Sequence, residues 1–402
     1  MPQTSMSHAP ARRLLQTALR AITADGTGSS DAVDVRIEPL RDLAATEAAW
    51  RDLEARAAPS FFLSWLWIGT WLAHLPKDVK PHLLVATARD RIVGMAVVCR
   101  RKAWRIGLRP RARWLLHETG DPHFDRLSIE YNGILADRSV AEAVTTACLN
   151  SAVRHLGQSD LLVLSGITAD LETVACRSAA DAGLVAEVTE ADTAHWVDFV
   201  EMRRLHKDYR ASLGRNTRQA VSRALRLYGE RGPVEHRVME TVPEALAAFT
   251  ELAELHRARW GRKGAFANPA FGPFHEDLIA RGVPTGTVRI SRTTVGGRTI
   301  GVLYNFAHGG EVLHYQSGFL YEEDAKLKPG VLSHVLAIED SFARGELGYD
   351  FMAGSAGHKS RLANAERSLK WVVVGRNSIE RRIGTTVRHA KRALAELRKP
   401  GE

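Results

Sequence analysis

Residues 312–352 read VLHYQSGFLYEEDAKLKPGVLSHVLAIEDSFARGELGYDFM, and the rest of the chain can be ordered around them. Val312–Gly318 reads as a strand, and the residues after Pro329-Gly330 as a helix reaching Arg344. A proline belongs in the first turn of a helix, where its missing N–H costs nothing. Tyr349–Met352 then reads as a second, short strand. A strand feeding a glycine turn and a helix N-terminus exposes backbone N–H groups and the positive end of the helix dipole, both of which suit a phosphate. An ordinary Pro-Gly helix start looks the same, so the feature points to a ligand only within a suitable fold.

On the N-terminal side of this stretch the sequence predicts a strand at Val234–Met239, a helix at Val242–Trp260 and a helix at Pro273–Arg281. Strands follow at Val288–Arg292 and Thr299–Ala307, punctuated by Gly296-Gly297 and Gly309-Gly310. A strand at Leu369–Val374 closes the unit. The first half repeats the plan. A strand at Val33–Pro39 precedes helices at Arg41–Arg56 and Trp65–His74, then strands at His82–Ala88 and Ile92–Arg100 and strand-like sequence over Ala112–Leu135. A helix at Ser139–His155, a strand at Asp160–Leu164, a helix at Leu171–Ala182 and a strand at Leu184–Thr189 complete it. The expected organisation is a tail over 1–31, an α+β unit over 32–200, a basic connector over 201–232 with a helix at Arg210–Glu230, a second α+β unit over 233–375 and a basic amphipathic helix over 376–402.

Composition sets limits. The 402 residues exceed one ordinary core, and 45% hydrophobic with 25% charged residues is globular. Three widely spaced cysteines without a CxxC pair exclude a disulfide framework and a cysteine-based metal centre. No apolar run approaches the roughly 20 residues needed to cross a bilayer. The N-terminus lacks the apolar core of a secretory signal and reads as a short basic segment before a Gly/Ser linker. Charge is uneven: residues 1–200 hold 22 Lys/Arg against 24 Asp/Glu, a net of −2, while residues 201–402 hold 33 against 22, a net of +11. The second half is therefore expected to attract an anion, with RNA and anionic lipid among the partners such charge suits.

Several segments carry a resemblance. SLGRNTRQAVSRALR (Ser212–Arg226), LHRARW (Leu255–Trp260), GAFANPAFGPF (Gly264–Phe274), LKPGVLSHVLAIEDSFARG (Leu327–Gly345) and YDFMAGSAGHKSRL (Tyr349–Leu362) together resemble the tandem GNAT acyltransferases of the FemAB-like, CelD (BioF2-like) acetyltransferase type. The likeness runs over about Asp208–Val374, with a weaker one over Phe61–Leu164 in FFLSWLWIGTW and IEYNGIL. The aromatic residue that usually precedes the family's lysine is His358 here. The resemblance implies two tandem GNAT-like domains, each a mixed central sheet flanked by helices. It also implies acetyl-CoA or another acyl-CoA as co-substrate and no metal.

Candidate roles follow from that context. Coenzyme A is expected where the strand meets the helix, at Gln316, Lys328, Gly330, Val331, Leu332 and Ser333. Tyr315 is a candidate donor to the leaving thiolate, or a core tyrosine. Asp350, at a strand end, is a candidate to orient or deprotonate an amine, and Lys359 to bind an acidic group; a structural Asp350–Lys359 ion pair is the competing reading. His256, Arg259 and Trp260 share a helix face that suits a sugar or phosphate, or simple packing. Asn305 and His358 are placed with the substrate. GDPHFDR (Gly120–Arg126) and the neighbouring Glu130-Tyr131-Asn132 suggest a loop between the units, with Asp125 and Tyr131 facing substrate. GSAGHKS (Gly354–Ser360) is not a nucleotide P-loop, because His358 stands where a glycine should.

The expected activity is transfer of an acyl group from acyl-CoA to an amine. The acceptor is an amino sugar, or a lipid-linked sugar or other glycolipid, of exopolysaccharide or cell-envelope synthesis. An aminoacyl-tRNA-dependent transferase and a non-catalytic scaffold are the alternatives. The expected location is the cytoplasm, with peripheral contact at the inner face of the membrane.

Overall fold

The computed structural model describes residues 32–103, 111–127, 129–354 and 357–376. The expected tail over 1–31 and all but the first residue of the expected helix over 376–402 lie outside the described residues.

The first half contains β1 (Asp34–Pro39), α1 (Leu43–Glu54), α2 (Trp65–Ala73), β2 (Pro81–Ala88), β3 (Arg91–Ala103) and β4 (Arg111–Leu116). It continues with β5 (Leu135–Ala136), α3 (Ala141–Arg154), β6 (Leu161–Thr168), α4 (Ala169–Asp181) and β7 (Val185–Asp198). Three helices join the halves: α5 (Phe199–Arg204), α6 (Tyr209–Ser212) and α7 (Arg215–Gly229). The second half comprises β8 (Val234–Val238), α8 (Val242–Trp260), α9 (Phe271–Gly282), β9 (Val288–Val295), β10 (Arg298–His308) and β11 (Glu311–Phe319). It ends with α10 (Pro329–Ala343), β12 (Gly348–Ala353), α11 (Gly357–Leu362) and β13 (Ala365–Gly375).

Local chemistry accounts for the helix starts. Thr241 and Glu244 form a capping box at α8, with Pro243 in the first turn. Asp42 caps α1 by accepting the Ala45 N–H. The single connector helix expected over Arg210–Glu230 is instead two. Leu213 has extended backbone (ψ 146°) and ends α6, which Asp208 caps, and Gly214 precedes a fresh start at Arg215.

The strands form one sheet in the order β1-β2-β3-β4-β6-β13-β7-β12-β11-β10-β9-β8, with β5 on β3. The last strand of each half has crossed to the other. β13 pairs with β6 of the first half, β7 pairs with β12 of the second, and β13 and β7 pair with each other along Ala365–Gly375. The mixed sheet with flanking helices is the expected fold class, but the halves share it rather than owning one each. One core is also shared. α2 is apolar on nearly every side, with seven of its nine residues buried, so it must be covered all round. Phe61 stacks on Phe306 at 4.0 Å, and Trp67 meets Phe274 at 5.1 Å.

Candidate active site

β11 and β12 are parallel neighbours for only three pairs, Glu311 with Gly348, Val312 with Tyr349 and Leu313 with Asp350. Where the pairing stops, a cavity of about 290 Å³ is lined by His314, Tyr315, Gln316 and Ser317 of β11 and by Phe351, Met352 and Ala353 of β12. Arg126, Glu130, Ala265, Phe271, His358 and Lys359 complete the wall. The β10–β11 register slips here: Tyr304 faces Gln316 while Asn305 faces His314. Tyr315 is therefore the extra residue of a β-bulge, a device that re-aims side chains and interrupts the hydrogen-bond ladder.

The first half has the matching fork. β4 and β6 pair in parallel over Arg113–Leu115 and Leu161–Val163. There the chain itself lies beyond the last pair. Asn132 bridges to Ile167, and its N–H donates to the Gly166 carbonyl. Gly166 has a φ of +62°, and a Cβ on it would lie 2.7 Å from the Ile129 carbonyl oxygen. His117, fully buried, is held by Asn132 at 2.9 Å.

This same segment reaches the second half's cavity. Tyr131, in left-handed backbone (φ 50°), donates its hydroxyl to Asp350 Oδ2. Asp350 is wholly inaccessible; its Oδ1 accepts the Met352 N–H at 2.6 Å, and Arg367 lies 3.5 Å from Oδ2. Burial raises the Asp350 carboxyl above the usual range, against the pull of Tyr131 and Arg367. Arg367 also grips Glu311 through two nitrogens and stacks over Trp196 at 3.8 Å. Glu130 Oε2 accepts the Ala353 N–H at 2.9 Å. Burial pushes the Glu130 carboxyl up to about 7; Asp350 adds to the rise, while the Ala353 N–H and Lys359 oppose it.

Lys359 donates to the Met352 and Ala353 carbonyls at 3.1 and 2.8 Å, so its ammonium serves two backbone oxygens, and an ion pair with Asp350 is not among the described contacts. Tyr315 donates its hydroxyl to the Leu127 carbonyl. His314 is held by Asn305 at 2.9 Å, and His334 packs between His314 and His358. Burial drives His314 and His334 well below the usual histidine value, so both are neutral.

The other candidate positions fall into three groups. Gly330 and Val331 form the first turn of α10, which has no side-chain cap at Lys328, so their N–H groups are free of intrahelical partners. Phe319 packs beside Gly330, linking this tip to the end of β11. Leu332 and Ser333 point into the core with no accessible surface, and the Leu332 N–H is bonded to Lys328, so neither side chain is available to a cofactor. His256 is buried under Gly264 and Phe266, whereas Trp260 is 52% exposed and Arg259 lies between it and Tyr321, 5.6 and 4.7 Å from the two rings. Asp125 does not face a ligand. Its carboxylate accepts from the Thr119 N–H and hydroxyl and the Gly120 N–H, closing its own loop. His314 and Met352 carry no sequence signal of a site, and Arg126 and Glu130 stand in the sequence only as parts of the loop segments Gly120–Arg126 and Glu130-Tyr131-Asn132. For Glu130 the only sequence signal was its place beside Tyr131.

Residues 215–360 match the acetyltransferase (GNAT) domain family. That stretch carries a GNAT acetyltransferase domain. The chain is similar in fold, at low identity, to several solved structures. One is the C-terminal DUF2156 domain of an Agrobacterium fabrum protein described as a lysylphosphatidylglycerol synthetase: 12% identity, 84% of this chain and 93% of that one, TM-score 0.54. L-PGS from Bacillus licheniformis aligns at 10% identity over 85% of this chain and 96% of its own, TM-score 0.52. FemX aligns at 11% identity over 84% and 96%, TM-score 0.53. No curated protein matches the chain in sequence. Among its described residues no helix is long and apolar enough to cross a membrane.

Proposed function

We propose that the protein moves an acyl group from an acyl-CoA, acetyl-CoA being the simplest, to an amine seated in the cavity between β11 and β12. The observation that carries this reading is the fork: two parallel strands part beside an uncapped helix start, leaving room for a thioester next to a phosphate site. In this reading the Gly330 and Val331 N–H groups hold the pyrophosphate, with Lys328 adding charge. A main-chain N–H released at the Tyr315 bulge stabilises the tetrahedral oxyanion. Tyr315 and Gln316 flank the thioester. Asp350 acts from beneath the cavity as a positioning residue, and Lys359 holds the end of β12 through the Met352 and Ala353 carbonyls. The acceptor is an amino sugar or a lipid-linked sugar of exopolysaccharide or envelope synthesis, and the exposed Trp260 with Arg259 suits such a ring. The amine attacks directly, in the cytoplasm or at the inner face of the membrane. Titration calorimetry with acetyl-CoA and longer acyl-CoAs checks the donor; no heat with any of them ends the acyl-CoA reading.

A second reading has support of its own. The exposed face of α7 carries Arg215, Arg218, Arg223 and Arg226, a stripe suited to a polyanion. With the fold shared with FemX and L-PGS, that stripe favours aminoacyl-tRNA as the alternative donor. Mobility shifts with bulk aminoacyl-tRNA at two salt concentrations test it: binding that weakens steeply with salt supports it, and no shift at low salt removes it.

A further inference from the structure

The first half's fork is closed by its own chain, and the space along Trp67, Trp71, His117, Glu118 and Ile129 is only about 10 Å³. That is water-sized at most. The closing segment, residues 129–132, instead projects Glu130 into the wall of the second half's cavity. We propose that Glu130, carried by the segment that plugs the first half's fork, is the proton acceptor for the amine in the second half's site. The proposal rests on the acyltransfer reading and adds to it the group that deprotonates the acceptor.

Geometry selects Glu130 over its neighbours. The Ala353 N–H anchors one carboxylate oxygen, and no described hydrogen bond engages the other. Asp350 is spent on Tyr131, Met352 and Arg367 and does not line the cavity. Tyr315 donates to Leu127. His314 and His334 are held too far below neutrality to keep a proton. Lys359 is a cation committed to two carbonyls. The charged and titratable groups around Glu130 are Asp350 on β12, Asp192 on β7, Lys359 and His358 on α11, Tyr315 and His314 on β11, Tyr131 beside it in sequence, and Arg126. Their balance leaves a carboxyl that titrates near neutrality, where a general base works best.

The step balances as follows. The acceptor's ammonium gives one proton to the Glu130 carboxylate. The freed nitrogen lone pair forms the C–N bond at the thioester carbonyl. Collapse of the tetrahedral adduct breaks the C–S bond, and the thiolate leaves with that electron pair and takes the second nitrogen proton as coenzyme A thiol. The proton on Glu130 returns to solvent.

The test uses the full chain and two substitutions. Glu130→Gln keeps an oxygen to accept the Ala353 N–H, and Glu130→Asp keeps the charge. Thiol release from acetyl-CoA with D-glucosamine as probe acceptor is followed from pH 5.5 to 8.5, alongside infrared titration of protonated side-chain carboxyls. The wild-type rate rises with pH through about 7. Glu130→Gln loses about a hundredfold or more and the rising limb with it, while Glu130→Asp restores part of both. The infrared signal that fades through neutrality, to which buried Glu118 also contributes, is reduced in Glu130→Gln by the Glu130 share. Wild-type turnover and an unchanged limb in Glu130→Gln overturn the proposal, as does an infrared band that the substitution leaves intact. If the wild type neither binds nor turns over acetyl-CoA, the donor assignment fails. The infrared arm then decides alone: a signal reduced in Glu130→Gln upholds Glu130 as a group that takes up a proton near neutrality, and a signal unchanged in it overturns the proposal.

Discussion

Tyr131 and Asp350 show how residue-level strain accompanies the site. Tyr131 (φ 50°) and Met352 (φ 57°) both occupy left-handed backbone without being glycine; Tyr131 follows the cavity's Glu130, and Met352 itself lines the cavity. Such conformations cost free energy and persist only where the surroundings over-determine them. Here the Tyr131 hydroxyl and the Met352 N–H both bind Asp350. Tyr131→Phe removes a hydrogen bond to a buried carboxylate and is expected to cost about 1.5–3 kcal/mol by urea denaturation. Restoring full stability by adding Asp350→Asn on top of Tyr131→Phe would show that the buried charge, not the ring, sets that cost. The sequence made Asp350 legible as a carboxylate at a strand end, and the chemistry assigned to it followed from that place. What it could not show is that Tyr131 and Arg367, from two other parts of the chain, bind it under the cavity floor. Glu130 is hard to read for the opposite reason: a lone glutamate in an irregular loop has no periodicity or spacing that gives it a role of its own.

At the level of elements, the plug is held by a glycine. Gly166→Ala places a Cβ in left-handed backbone and against the Ile129 carbonyl. The expected loss is about 1–3 kcal/mol, together with slower turnover, because residues 129–132 must shift and carry Glu130 with them. A stability loss without any change in turnover would uncouple the plug from the site. The exchanged strands make a second prediction. Val372, fully buried in β13, lies between β6 and β7. Val372→Ala is expected to cost about 2 kcal/mol and to raise amide exchange along β6 and β7 together. Faster exchange confined to one neighbour contradicts their dependence on a common strand. The order of elements was readable because apolar periodicity is local. The exchange was not, since β7 and β13 offer similar strand patterns and only tertiary packing selects which partner each takes. The break at Leu213–Gly214 was hidden by the basic residues continuing across it.

For the whole molecule, the buried titratable groups give stability a defined pH dependence. Glu118 and Glu130 are both raised to about 7 by burial. A raised carboxyl binds its proton more tightly folded than unfolded, so its contribution is complete below the unfolded value and is lost as pH rises through about 7. Buried histidines act in reverse: His117, lowered to about 4 by burial, favours folding above its unfolded value and loses that as pH falls. Above about pH 6.5 the histidine contribution is complete and changes no further. Stability is therefore expected to decline from pH 6.5 to 8, with a shallower decline in Glu118→Gln and Glu130→Gln, read as the urea midpoint at each pH. A flat or rising midpoint across that window contradicts the burial of these carboxyls. The pairing of Leu369 with Thr168 has a consequence for biosynthesis. The ribosome releases the first half long before the stretch that completes its middle has been made. That half must wait with an open backbone edge, exposed to premature association, until β13 has been made.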